Sequence, residues 1–137
     1  VNQIMANGSL DISSRHRLEM IDVTDRLQGI LAAEGVQEGV LHIYSPHTTA
    51  GIAINEGADP DVQRDLLGAL NRIVPSDYPY QHAEGNSPAH LMTMLSRTSE
   101  TLFIHHGCLR LGTWQRVFFC EFDGPRSRQL WWKILPG

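Results

Sequence analysis

From residue 101 to its end this chain reads as one strand after another, at 102–105, 109–111, 117–122 and 130–134, with a turn near Gly107. The gaps between them are of hairpin length, which favours antiparallel pairing, because a parallel return needs a crossover of a dozen or more residues. Upstream, strands and helices are mixed. Residues 9–22 alternate loosely as two short strands, with Ile12, Leu18, Met20 and Ile21 turned inward. Thr24-Asp25 caps a helix with Leu27, Ile30 and Leu31 on one side, stopping near Gly35. Strands follow at 40–44 and 50–54, joined by the turn Ser45-Pro46-His47. Asp59-Pro60 is a cap followed by proline at the first helical position, and the helix behind it is expected to bury Val62, Leu66, Leu70 and Ile73. Residues 74–81 form an irregular loop around Pro75 and Pro79. Ser87-Pro88 repeats the capping device ahead of a third helix, whose apolar side is Leu91, Met94 and Leu95. The expected fold class is α+β, a mostly antiparallel sheet with about three helices. No linker or repeat divides the 137 residues, so 1–137 is read as a single compact domain.

Two pairs of adjacent aromatics add a constraint. Phe118 and Phe119 are neighbours, as are Trp131 and Trp132. Successive side chains on a strand point to opposite faces, so helices on one face leave the other aromatic to be covered. A partner subunit is the simpler source of that cover, and a homo-oligomer is expected.

Charge excludes some partners. The formal net charge is −4 and the only lysine is Lys133, so the clustered positive charge that nucleic-acid binding needs is missing. No run of about 18 apolar residues occurs, so no membrane span is expected. Cys108 and Cys120 have no paired spacing and fit small buried or half-buried positions in a reducing compartment, which suggests a cytoplasmic protein.

The chemistry concentrates in His82-Ala83-Glu84-Gly85-Asn86-Ser87-Pro88-Ala89-His90, read with His47-Thr48-Thr49. In one continuous helix His82 and His90 would lie roughly 12 Å apart, too far for one ion. Gly85 and Asn86-Ser87-Pro88 break that helix, leaving His82 on a loop that can fold back toward His90 in the first turn. Three imidazoles with one position left open would hold a catalytic metal. Taken singly, each histidine reads more readily as a surface or hydrogen-bonded residue than as a ligand, and His47-Thr48-Thr49 alone as a polar turn opening a strand. Glu84, between the two histidines, is the leading candidate for proton transfer. Glu56, at a strand end, is the second, whereas Asp59 has an adequate role as a helix cap. Gly85 suggests a positive φ or a close backbone approach. The turn Leu111-Gly112-Thr113-Trp114-Gln115 reads either as an anion cradle or as a plain connection. Arg126 reads either as a phosphate ligand or as the ion-pair partner of Glu121 or Asp123.

These segments resemble the YjbQ-like family, whose members are labelled secondary thiamine-phosphate synthase enzymes. The likeness runs from about residue 9 to the C-terminus through His47-Thr-Thr-Ala-Gly-Ile, Asn55-Glu56, Asp59-Pro60-Asp61-Val62, His82-Ala-Glu-Gly-Asn-Ser, Ala89-His90, Leu111-Gly-Thr-Trp-Gln115 and Cys120-Glu-Phe-Asp-Gly-Pro-Arg126. It implies a compact α+β fold, a homotrimer and a polar pocket near the subunit boundary. On this likeness His47, His82 and His90 are metal ligands. Asn55, Glu56, Asp59, Glu84 and Asn86, with Thr48 and Thr49, surround them, and Arg126 is the arginine of the last motif. His105, His106 and Cys108 fall outside the shared pattern.

The label implies joining a pyrimidine diphosphate to a thiazole phosphate with loss of diphosphate. Magnesium, the usual partner of diphosphate, takes oxygen ligands, whereas imidazoles favour zinc, nickel or iron. The expected cofactor is therefore a divalent metal ion, zinc rather than magnesium, and thiamine-phosphate synthesis is expected as a weak secondary activity. A small phosphorylated or anionic substrate is the expected partner. The alternatives are a metal-dependent hydrolase of a small substrate and a non-catalytic trimeric module that binds a small molecule or metal.

Overall fold

A computed structural model describes residues 6–137. In chain order the elements are β1 (Ala6–Ser13), β2 (Glu19–Asp22), α1 (Thr24–Glu34), β3 (Gly39–Tyr44), β4 (Ala50–Glu56), α2 (Pro60–Ile73), α3 (Ser87–Leu95), β5 (Ser99–His105), β6 (Cys108–Leu109), β7 (Gln115–Glu121) and β8 (Ser127–Pro136). They form two sheets. One has five strands in the order β1-β8-β3-β5-β6, the other three in the order β2-β7-β4, and every neighbouring pair is antiparallel. No helix among the described residues is long and apolar enough to cross a membrane.

The expected α+β class with three helices and antiparallel pairing is what the fold shows, but the strands are partnered differently. Among the described residues only β5 and β6 form a hairpin; β7 leaves for the smaller sheet and β8 returns to the larger one. Residue parity explains the split. Along β7, Val117, Phe118, Phe119 and Cys120 are all buried, so this strand needs a layer on each side and takes the centre of the small sheet. Along β8 burial alternates, with Arg128, Leu130 and Ile134 inward, as suits a sheet covered on one face.

The main core fills the space between the sheets. Leu41, Ile43, Leu130 and Ile134 of the large sheet meet Ile52, Val117 and Phe119 of the small one, with Leu27 and Leu31 of α1 alongside. A second core lies on the far side of the small sheet, where Phe118, Cys120 and Phe122 pack on Ala89 and Met92 of α3 and on Val74 after α2. Phe118 and Phe119 thus point to opposite faces, as expected, yet each is covered by this same chain. For the phenylalanines, cover by a partner subunit is not needed. Trp132 also turns inward and packs on the main core; Gly8 makes room for it, since a Cβ there would stand 2.6 Å from the indole. Trp131 faces out, 46% exposed and stacked on Tyr44 with ring centroids 6.0 Å apart. Ile12 and Ile21 join the main core, Leu18 and Met20 the second.

Other expectations are corrected. No residue of α2 is buried: Leu70 packs on the second core, but Leu66 and Ile73 are exposed. The apolar stripe of α2 is real, but the helix rests on the sheet mainly near its C-terminal end. On α3 the buried residues are Ala89, Met92 and Thr93, while Met94 and Leu95 are exposed and Leu91 is partly covered. That helix begins one residue earlier than Ser87 as cap would place it, with Asn86 as N-cap and no side-chain capping bond. The first helix is capped by Val23, not by a Thr24 or Asp25 side chain, and the Asp22 carboxylate accepts the Thr24 N–H at 2.9 Å. Asp59 caps α2 as expected, accepting from the Asp61 amide. Cys108 is exposed rather than buried; Cys120 is buried, which pushes its thiol up to about 12.

One close approach fixes α3 against the small sheet. The Ile52 N–H donates to the Arg97 carbonyl at 2.6 Å, and Gly51 lies beneath that crossing. A Cβ on Gly51 would run into Ser96 Oγ and stand 2.7 Å from the Arg97 carbonyl oxygen. Because backbone must move to admit it, Gly51→Ala should lower unfolding stability by about 1–3 kcal/mol, read from the urea midpoint. It should also shift α3, and with it His90.

Candidate functional site

The two sheets place four chain segments at one end of the sandwich. Ala50 pairs with Glu121 across β4 and β7, so the β3–β4 turn meets the end of β7. The Phe122 N–H donates to the Thr49 carbonyl at 3.2 Å, and the Ser14 N–H to the Arg126 carbonyl at 3.0 Å. The start of α3 and the loop before it complete a cleft of about 450 Å³. Of the residues singled out from the sequence, His47, Thr48, Thr49, His82, Glu84, Asn86, His90 and Arg126 line this cleft, joined by Pro46 and Arg128.

The floor is a buried ion pair. Arg128 donates through Nε to Glu121 Oε1 at 2.9 Å and through Nη2 to Oε2, and Nη2 also donates to Thr49 Oγ1 at 2.8 Å. Glu121 further accepts from Ser14 Oγ at 2.6 Å and from the Asp123 N–H at 3.0 Å. Burial alone would raise the Glu121 carboxyl. The bonds from Arg128, Ser14 and the Asp123 amide outweigh it and hold the group below its ordinary range. Neither Arg128 nor Ser14 was picked out from the sequence. A signal existed: Arg128 has inward parity with Leu130 on β8, and Glu121 closes a run of buried apolar residues. Charges at such positions must find each other.

His47 stands on this floor with its ring edge-to-face against Phe119. Burial, and after it the charge of Arg128, pushes the imidazole below its ordinary value, against the opposing influence of Gln129 and Glu121. Its Nε2 lies 2.9 Å from the Gln129 amide nitrogen and 3.2 Å from the Gln129 carbonyl oxygen. The two contacts call for opposite tautomers. Donation from the amide leaves the proton on Nδ1; an Nε2–H turned to the carbonyl would free the Nδ1 lone pair for a cation, a common arrangement for metal-bound histidine.

His82 and His90 face each other with ring centroids 5.7 Å apart and planes at 81°. The loop folds back as the helix break requires. Gly85 has φ +75°, and nothing would contact a Cβ there, so it is the backbone angle that calls for glycine. Asn86 donates through Nδ2 to Asp123 Oδ2 at 2.9 Å, which fixes its amide orientation; its Oδ1 is buried without a hydrogen-bond partner. Arg126 also holds Asp123, through Nη2 at 2.7 Å, so the ion-pair reading of this residue is realised. As they stand, the ring nitrogens of His47, His82 and His90 are not all within 4.8 Å of one another; among the described residues that spacing is met by Glu38, His105 and His106.

Three candidates are elsewhere. Asn55, Glu56 and Asp59 lie at or beyond the other end of β4, roughly 20 Å along the strand from Ala50. There Glu56 accepts the Ala58 and Asp59 amides and closes the turn into α2, which gives it a structural role. The 111–115 turn abuts the same end, with Gln115 paired to Glu56 and the Gly112 N–H donated to Gln115 Oε1 at 2.8 Å. It is a plain connection whose amide is already taken.

Two outcomes follow from the floor of the cleft. Glu121→Gln removes the counter-charge of a buried guanidinium and should cost about 3–5 kcal/mol of stability in urea unfolding. Acid should act in two windows. The unfolded chain protonates His47 from about 6.5 downward while the folded chain resists, so stability falls with pH there, and His47→Gln should flatten that part of the curve. Below about 4.5 the unfolded chain protonates Glu121 before the folded one does, and a second loss follows.

Known proteins share this fold and sequence. The chain is 44% identical over 124 residues to a UPF0047 protein of Methanocaldococcus jannaschii, covering 90% of each chain. It is 43% identical over 128 residues to the UPF0047 protein YugU of Bacillus subtilis, covering 93% of this chain and 97% of that one. A crystal structure of an uncharacterised YjbQ/UPF0047 protein from Clostridium acetobutylicum superposes with a TM-score of 0.90 at 42% identity, over 93% of this chain and 98% of that one. The sequence profile described as "UPF0047 protein YjbQ-like" matches residues 8–137. This chain therefore belongs to the YjbQ-like UPF0047 family.

Proposed function

We propose that this protein is a divalent-metal-dependent enzyme acting on a small phosphorylated substrate in the cleft between the His47 turn and the start of α3. The observation that carries this reading is the buried, unpartnered Asn86 Oδ1 in a cleft that also contains the facing imidazoles of His82 and His90. A buried acceptor left without a donor is costly, and a bound cation removes that cost. Both arginines are already paired with carboxylates, so the unspent groups of the cleft are electron-pair donors: His82, His90, Glu84 and Asn86 Oδ1. This set fits a zinc-type ion better than magnesium.

His82, His90 and Asn86 would hold the ion, with His47 added in its Nε2–H tautomer. Bound there, it supplies Lewis-acid polarisation of a substrate oxygen. The chain's own residues do the rest. Glu84, exposed on the loop between the histidines, moves the proton at the reacting oxygen. Arg126, half exposed, turns a free edge of its guanidinium toward a phosphate while Asp123 keeps it in place. Arg128 and Glu121 hold Thr49 and the His47 turn in register. Joining a pyrimidine diphosphate to a thiazole phosphate is one reaction of this class. The nitrogen-rich donor set favours a second, hydrolysis of a phosphate ester, since departure of diphosphate is ordinarily served by magnesium on oxygen ligands. A homotrimer would bury the Tyr44–Trp131 stack left open on the large sheet, and the two unpaired cysteines suit the cytoplasm.

Protein purified without chelator should contain bound metal by mass spectrometry, and His82→Ala and His90→Ala should each lose it together with turnover of phosphorylated substrates. Glu84→Gln should keep the metal and lower kcat about 100-fold or more with little change in KM. Full metal content and full turnover in both histidine variants would sink the proposal. Tight ligand retention with no turnover in the wild type would make the protein a binding module.

A further inference from the structure

We propose that Glu38, His105 and His106 form a second, independent binding site for a zinc-type divalent cation, at the end of the large sheet away from the cleft. Strand register builds the site. Gly39 pairs with Ile104, which sets Glu38 opposite His105 at the mouth of the β3–β5 ladder, and His105 pairs in turn with Cys108 on β6. Directly opposed residues project from the same face, so a carboxylate, an imidazole and an exposed thiol stand in a row across three strands. His106 adds a second imidazole from the turn. Its ring centroid is 4.0 Å from that of His105.

The distances are close to those of a metal site. Glu38 Oε1 is 3.1 Å from His105 Nδ1 and 4.0 Å from His106 Nδ1, and the three ligand atoms all lie within 4.8 Å of one another. Ligands at about 2.1 Å from a tetrahedral zinc are roughly 3.4 Å apart, so movements of about an ångström would close the shell. Two imidazoles and a carboxylate, with a thiol in the next pair, select zinc, nickel or copper over magnesium or calcium.

The turn that carries the ligands is tied down. The His106 N–H donates to Glu38 Oε1 at 3.2 Å, the Gly107 N–H to the Gln37 carbonyl at 2.9 Å, and Gln28 of α1 to the Gly107 carbonyl at 2.8 Å. His106 also occupies a backbone angle, φ +51°, where glycine or asparagine is the usual choice in a two-residue hairpin turn. A histidine there is explained if its ring is used. The site shares no residue with the cleft and lies at the opposite end of β5, roughly 20 Å from the strand end that pairs with Tyr44.

The test removes the cleft first. Chelator-stripped His82→Ala/His90→Ala protein is titrated with zinc by calorimetry, alone and with Glu38→Gln, His105→Ala or His106→Gly added. Glycine relaxes the backbone at 106, so His106→Gly deletes a ligand without threatening the fold. One zinc equivalent should remain in the cleft variant, and each added change should weaken it at least tenfold. No zinc binding by the cleft variant, or binding indifferent to all three changes, overturns the proposal. Either result is read separately from the metal content of the wild-type cleft.

Discussion

The Arg128–Glu121 pair is the interaction on which the cleft depends. It lies where the two sheets meet, Arg128 on the inner face of β8 and Glu121 at the end of β7, and it joins them through charge rather than through apolar packing alone. Taking both ions out of water is expensive, and the pair is tolerated because almost every donor and acceptor it presents is used. Ser14, the Asp123 amide and Thr49 complete it. Those same contacts bring together the end of β1, the turn after β7 and the start of β4. A neutral apolar substitute could fill the volume but could not donate to Thr49.

Around that floor the polar groups divide into spent and unspent. Arg126 and Asn86 both hold Asp123, and His47 is engaged with the backbone of Gln129. What is left are lone pairs: the rings of His82 and His90, the Glu84 carboxylate and the Asn86 carbonyl oxygen. A cleft whose arginines are paired and whose lone pairs are free is the basis on which we propose a cation there, with a phosphate placed second.

The Glu38–His105–His106 cluster follows a different logic. It is assembled by ladder register and a strained turn, whereas the cleft is assembled by loops that converge on a buried charge. The resemblance seen in the sequence drew attention to the histidines of the cleft and not to this cluster. Distances between ligand atoms report what this chain can do by itself.

Much of the fold was legible because period and punctuation are local. Alternation along β1 and β8, the Asp59-Pro60 start of α2 and the glycine stop of α1 each needed only a few neighbouring residues. The break at Gly85–Pro88 was legible too, and with it the return of His82 toward His90. Sequence could not settle which strands pair, because antiparallel partners such as β1 and β8 are more than a hundred residues apart and a hairpin-length gap permits either sheet. Nor could it assign Phe118 and Phe119 to two separate cores, place Glu56 away from the histidines, or reveal that Arg128 finds Glu121. Residue types and their spacing determined the elements and most of the chemistry available to them. Tertiary structure decided which groups share a cavity, since that depends on long-range register and on the need of buried charges for partners.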